Sequence, residues 1–166
     1  MGLLSAARYV ARIEDVDIDA LVRGGVRLVL VDRDNTCVPR DSHVAPPAVV
    51  EWFARAREAG LALCLVSNNV HSTQLAATAA ELGCDVITHA FKPSPHALLL
   101  ALRRYRVARW QCVMIGDQIF TDVIAGNLAR IPTILVHPQC DEDLWYAVPF
   151  RRLESWMVRN KHFEGE

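Results

Sequence analysis

Two periods of hydrophobicity alternate along the middle of this chain. Short runs rich in β-branched residues, at 26–31 (VRLVLV), 61–66 (LALCLV), 85–88 (DVIT), 112–115 (CVMI) and 133–136 (TILV), predict five strands. Between them lie segments with helical spacing. One, 46–59, opens on Pro46-Pro47, carries Val49, Val50, Phe53 and Ala56, and stops at Gly60. Another, 72–82 (STQLAATAAEL), stops at Gly83. A proline in the first turn loses no hydrogen bond, and a glycine past the last turn takes the left-handed conformation that ends a helix, so both boundaries are chemically punctuated. Further helices are predicted over 95–106, 119–129 and about 149–160. Strands that are apolar throughout, separated by helices, imply a parallel sheet covered on both faces. Right-handed crossovers then give a doubly wound α/β fold. No repeat, low-complexity stretch or linker interrupts it, so residues 1–166 are expected to form one domain, with its core at about 21–138.

Charge and cysteine content narrow the setting. With 18 Lys+Arg against 19 Asp+Glu the net charge is −1, which gives no bulk attraction to nucleic acid, and no basic groove pattern supplies a local one. No apolar run approaches the ~20 residues of a membrane span. Arg8 and Arg12 interrupt any secretory signal, and Ala6 stands where a myristoylation motif needs Ser or Thr. The five cysteines are odd in number and scattered without a C-x-x-C pair, so neither a zinc site nor a disulfide framework is indicated; a reducing cytoplasm is expected.

In doubly wound folds ligands bind beyond the carboxyl ends of the strands, where strand order reverses. The residues there are chemically loaded. The first strand is followed by Asp32-Arg33-Asp34-Asn35-Thr36, the second by Ser67-Asn68-Asn69, the third after a short gap by Lys92-Pro93, and the fourth by Gly116-Asp117-Gln118 with Thr121-Asp122 beyond. Each group alone has a structural explanation. Asp-x-Asp-Asn can close a strand as an Asx-turn, Ser67 and Asp117 can cap helices, and Lys92 can be a solvated loop residue. Together at one rim they imply more, because converging carboxylates raise one another's pKa or hold a cation. Ligation by carboxylates without His or Cys favours a hard ion such as Mg²⁺, which fills its remaining positions with water and phosphate oxygens. Lys92 then suits a phosphoryl group as a point charge, and Ser67 as a hydrogen-bond donor.

The ordered set DRDNT (32–36), VSNN (66–69), KP (92–93) and GDQIFTDVIAGN (116–127) resembles the haloacid-dehalogenase-like (HAD) phosphatases of subclass IIIA, and within them the YqeG-type, phosphatidylglycerophosphatase-like members. The segments ILVHP (134–138) and FRRLESWM (150–157) agree, and the likeness covers roughly residues 9–160. The resemblance implies a Rossmann-like core and an aspartyl-phosphate mechanism. Asp32 would be the nucleophile, and Asp34 the acid that protonates the leaving oxygen and then the base that activates water. Mg²⁺ would be held by the carboxylates of Asp32 and Asp117 and the main-chain carbonyl of Asp34. Ser67 and Lys92 would hold phosphoryl oxygens, and Asp122 would support the metal shell or orient Lys92. Two residues depart from the subfamily pattern. Arg33 stands where an apolar residue is usual, either turned away from the metal by the alternation of an extended segment or reaching the substrate phosphate. Cys37 replaces Leu or Val, either as a structural residue or as a thiol that makes activity sensitive to oxidation.

The spacing from Asp34 to Ser67 holds only a loop, a helix and a strand, and that from Ser67 to Lys92 is shorter, so no cap domain fits. An open site suits a large or surface-bound substrate, or closure by a neighbouring subunit in an oligomer. The implied function is a Mg²⁺-dependent phosphomonoesterase for phosphatidylglycerophosphate. The alternatives are a phosphatase for a soluble sugar or nucleotide phosphate and a non-catalytic binding protein on the same scaffold. The segment 146–163 (YAVPFRRLESWMVRNKHF), with Trp145 before it, mixes aromatic with basic residues in the manner of peripheral contact at the inner membrane surface. Its other reading is a helix that packs Leu153, Trp156 and Met157 onto the domain or a partner subunit.

Overall fold

Apolar strands with helices on both sides are what the computed structural model contains; it describes residues 2–42, 44–69, 71–140 and 148–166. Six strands, β1 (Arg8–Val10), β2 (Leu28–Val31), β3 (Ala62–Val66), β4 (Asp85–Ile87), β5 (Cys112–Gly116) and β6 (Thr133–Val136), form one sheet in the order β1-β6-β5-β2-β3-β4. Every pairing is parallel. The helices are α1 (Ile18–Arg23), α2 (Pro47–Glu58), α3 (Ser72–Leu82), α4 (His96–Tyr105), α5 (Ile124–Ala129) and α6 (Val148–Val158).

Side-chain alternation along the strands builds two cores from one sheet. Val29, Val31, Leu63, Leu65, Val113 and Ile115 face Val49, Trp52 and Phe53 of α2 and Ala79 and Leu82 of α3. Leu28, Leu30, Cys64, Val66, Cys112 and Met114 face Ala97, Leu98 and Ala101 of α4 and Ala125 and Ala129 of α5. With both faces covered, β2 and β5 are buried along their whole length, which is why their sequences show no polar alternation. From β2 the chain winds outward to β3 and β4, then returns across β2 to β5. The reversal leaves a crevice between the carboxyl ends of β2 and β5, where Asp32 N donates to Ile115 O at 2.9 Å and carries the pairing one residue further.

Three features differ from the sequence expectation. The sheet has a sixth strand, β1, and the packed core reaches past 21–138 to include Val10, Ile13, Val16, Ile18 and Phe163. β1 escapes pattern reading because it is three residues long and only Val10 is fully buried. The segment predicted as one helix over 119–129 opens as a π-helical turn, Ile119–Val123, before α5. In α6, Leu153 and Trp156 are exposed, whereas Met157 packs with Val158 on the cluster of Ile119, Val123 and Phe163; among the residues whose side chains are described, the buried one of the helix is Glu154. Trp145 and Tyr146 lie outside the described residues. Among the described residues no domain is inserted between Asp34 and Ser67 or between Ser67 and Lys92, and no helix is long and apolar enough to cross a membrane.

Candidate active site

The carboxyl ends of β2, β4 and β5 bring Asp32, Lys92, Asp117 and Asp122 to one point, all of them buried. Lys92 is the hub. Its Nζ lies 2.5 Å from Asp32 Oδ1 and 2.7 Å from Asp122 Oδ1. Its backbone is fixed by Asn68, whose side chain accepts from Lys92 N at 2.7 Å and donates to Lys92 O at 2.9 Å. Asp117 Oδ1 accepts from the Thr36 hydroxyl at 3.1 Å, so the first and fourth motifs are bonded directly.

Asp122 owes its place to the π-helical turn. The amides of Asp122 and Val123 both donate to Gln118 O, at 2.9 and 3.2 Å, which widens the turn by one residue. The Asp122 side chain then lies against β5, and its Oδ2 accepts from Gln118 N at 3.1 Å. Only glycine allows this approach: a Cβ on Gly116 would stand 2.3 Å from Asp122 Cγ.

The other predicted residues sit close by with different partners. Ser67 is buried, and its Oγ accepts from Asn69 N at 3.0 Å; it does not cap α3, which has no side-chain cap. Asp34 lies outside the cluster of three acids. Its Oδ1 meets Arg33 Nη1 at 2.5 Å, and its Oδ2 faces Asn69 Nδ2 at 3.5 Å. Arg33 touches none of the three clustered acids: its Nε reaches Thr78 of α3 at 3.0 Å, and its Nη1 folds back onto Asp34. Cys37 is fully buried with its thiol donating to Asp32 O at 3.1 Å. Burial, then the nearby Asp32 carboxylate, pushes that thiol well above its ordinary pKa, which makes it a poor nucleophile for oxidants.

Burial pushes the Asp32 carboxyl up to about 8; Lys92 opposes the rise, while the charges of Asp122 and Asp117 add to it. For Lys92, burial works against the ammonium, but Asp122 and Asp32 together outweigh it and hold its pKa above the ordinary value. The two directions compete, because a protonated Asp32 forfeits part of what holds the proton on Lys92. The ammonium prevails: with Asp122 as its second partner it stays charged, and the excess negative charge falls on the acids. Ligand oxygens of Asp32, Asp117 and Asp122 all lie within 4.8 Å of one another, and ionising all three beside one ammonium concentrates negative charge there. A hard divalent cation fits that donor set and would offset that charge.

Sequence reasoning had no role for Thr36, Asn68, Asn69 or Gly116. All four stand inside the motifs, and for the first three the polar side chains directly after apolar strands were the available signal. Gly116 has no side chain to give one, and a strand-end glycine has many uses.

The comparisons with known proteins place the chain in a family. The sequence profile of the haloacid dehalogenase-like hydrolases matches residues 3–130. The chain is 33% identical over 163 residues to a protein named probable phosphatase YqeG of Bacillus subtilis strain 168, covering 95% of this chain and 94% of that one. It is 26% identical over 153 residues to phosphatidylglycerophosphate phosphatase 1, chloroplastic/mitochondrial, of Arabidopsis thaliana, spanning 87% of this chain but only 44% of that protein. Among solved structures, the cobalt-bound deoxy-D-mannose-octulosonate 8-phosphate phosphatase of Haemophilus influenzae superposes with a TM-score of 0.56 at 14% identity, over 82% of this chain and 89% of that one, which speaks for the fold alone.

Proposed function

Because this chain belongs to the haloacid dehalogenase-like hydrolases, we propose that it is a Mg²⁺-dependent phosphomonoesterase that works through an aspartyl-phosphate on Asp32, with phosphatidylglycerophosphate as its substrate. The observation that carries the reading is the buried bridge of Lys92 between Asp32 and Asp122 with Asp117 alongside, a constellation that a binding scaffold does not need.

An oxygen of Asp32 attacks phosphorus while the bond to the ester oxygen breaks, and Asp34 gives its proton to that oxygen. Water then attacks the same phosphorus, Asp34 takes its proton, and the bond to Asp32 breaks to release phosphate. A carboxylate nucleophile thus divides one displacement into two easier ones. Asp32, Asp117 and the Asp34 carbonyl would hold the metal, which when bound supplies charge neutralisation for the phosphoryl group. Lys92 holds a phosphoryl oxygen and keeps Asp32 oriented; the Ser67 hydroxyl donates to a second oxygen. Thr36 fixes Asp117, and Asn68 fixes the backbone of Lys92.

The lipid substrate is supported by the named relatives and by the rim. Among the described residues no inserted domain encloses the crevice. The outward side of α6 shows Arg152, Leu153 and Trp156, with Arg159 just beyond, and none of these four is buried. Basic and apolar residues on one helix face suit a bilayer interface and a peripheral location at the inner membrane surface. Phosphate release from phosphatidylglycerophosphate in mixed micelles, beside a panel of soluble phosphate esters and with Asp32→Asn as the blank, tests the proposal. Strong preference for the lipid, lost in Asp32→Asn and with chelator, is expected. Preference for a soluble sugar or nucleotide phosphate would keep the chemistry and reject the lipid. Release from no ester would overturn both.

A further inference from the structure

Arg33 interrupts the Asp-x-Asp motif with a side chain that the fold buries almost completely, at 3% exposure. Burying a guanidinium is costly unless its donors are matched, and a Leu would fill such a space without that cost. Its partners are specific. Nε donates to Thr78 Oγ1 at 3.0 Å, and Nη1 meets Asp34 Oδ1 at 2.5 Å. The Thr78 hydroxyl spends its own hydrogen on Gln74 O at 3.0 Å, within α3, so it presents a lone pair to Arg33. On the other side, Asn69 Nδ2 faces Asp34 Oδ2, and the amide of the same residue is tied to Ser67 Oγ. Oδ1 of Asp34 is thereby held from α3 through Arg33, while Oδ2, with only a long 3.5 Å contact from the loop after β3, keeps a lone pair for the proton it is to transfer.

We infer that Arg33 is a positioning residue that clamps Asp34 for proton transfer to the leaving oxygen; this rests on the phosphatase reading above, in which Asp34 is the acid. A planar guanidinium suits the task because its Nε and Nη1 donors point in fixed, divergent directions, so anchoring one on Thr78 aims the other at Asp34. Lysine offers one charge on a flexible stem and cannot do both. The effect is confined to one event, the proton that accompanies rupture of the phosphorus–ester oxygen bond. Arg33 is a partner neither of Asp32 nor of Lys92, so the attack on phosphorus is not its concern.

That confinement gives the test. An alkyl ester leaves as a strongly basic alkoxide and needs the proton, whereas 4-nitrophenolate leaves unaided. The constant kcat/KM covers steps only up to departure of the leaving group, so later hydrolysis of the aspartyl-phosphate does not enter. Wild type, Arg33→Leu, Arg33→Lys and Thr78→Val are compared with Mg²⁺ on 4-nitrophenyl phosphate and on the alkyl monoester that wild type turns over fastest. For Arg33→Leu we expect kcat/KM to fall about 100-fold on the alkyl ester, the lower range for a lost general acid, and only a few-fold on 4-nitrophenyl phosphate. Arg33→Lys should show the same selective loss to a smaller extent. Thr78→Val, which removes only the anchor, should lose about tenfold on the alkyl ester alone, and it keeps the question answerable if Arg33→Leu does not fold. Equal losses on both esters would overturn the inference and leave Arg33 a structural residue, as would an unchanged alkyl rate. Wild type inactive on both esters would instead reject the phosphatase reading.

Discussion

Replacing Gly116 by alanine should separate position from packing at this site. A Cβ there would sit 2.3 Å from Asp122 Cγ and Oδ2 and 2.5 Å from its Cβ. Ordinary contact begins near 3.5 Å, so Asp122 must withdraw by about 1.2 Å. Asp122 cannot do so for free: its Oδ1 holds Lys92 Nζ at 2.7 Å and its Oδ2 holds Gln118 N at 3.1 Å, with the side chain 2% exposed. Overpacking of this kind costs about 1–3 kcal/mol, and a misplacement of about 1 Å in a catalytic constellation costs on the order of 100-fold in rate. Gly126→Ala is the control. Its Cβ would meet Thr133 Cγ2 at 2.1 Å, an overlap of similar size between α5 and β6 that touches no acid. Phosphate release and urea unfolding are measured for both variants well below their melting temperatures. Similar losses of stability are expected, with activity lost only in Gly116→Ala. Full activity in Gly116→Ala, or activity lost equally in the two variants, would refute the argument that Gly116 is there to admit Asp122.

Other expectations follow from the burial of charge and of single groups. Asp32 has a folded-state pKa of about 8 against an ordinary 3.8, so between those values the metal-free folded chain holds a proton that the unfolded chain has lost. Stability of the chelated protein should therefore fall as pH rises through that window, and flatten in Asp32→Asn. Mg²⁺ should raise the melting temperature more near the top of the window than near its bottom; an equal gain throughout would contradict this. Thr133 Oγ1 is buried with no hydrogen-bond partner among the described residues, so Thr133→Val should gain about 1 kcal/mol in urea unfolding, and a loss would show an overlooked partner. Phe163 is buried edge-on to Tyr9 at 5.5 Å and stacked on His137 at 3.8 Å. Phe163→Ala should cost ~3 kcal/mol, and a cost below ~1 kcal/mol would mean that the 163–166 segment contributes little to the fold.

The central sheet was legible because a strand buried on both faces must be apolar at every position, and LVLV (28–31) and CVMIG (112–116) can be little else. The site was legible for the related reason that carboxylates directly after such strands have few places to go. What escaped was geometry set by other residues. The π-helical turn at Ile119–Val123 has no composition of its own, and it alone brings Asp122 to Lys92. The partners of Arg33 could not be read from strand alternation, because one of them, Thr78, stands 45 residues away. Glu154 carried no signal of its own in the sequence; it is buried, and its carboxylate accepts from Phe120 N at 3.0 Å at the head of the same turn.

The pairing of β1 carries a consequence for how the chain comes into being. Residues 8–10 pair with 134–136 along β6, and Tyr9 and Ala11 bond to the backbone of Glu164, with Arg8 and Glu164 joined as an ion pair. These contacts join parts of the chain separated by more than 120 positions. At a ribosomal pace of about 5–20 residues per second, the segment holding β1 waits several seconds for its partners. Meanwhile β2, β3 and β4 can assemble from contiguous sequence, but the crevice cannot, since β5 is its other wall. A nascent chain released before β6 would present β5 as a bare apolar edge, a template for pairing with its neighbours on the polysome. The vulnerable moment in the life of this protein thus lies before its last strand is made, and mutations that slow the closing of β6 and β1 would show first as lost yield, with the molecules that do fold fully active.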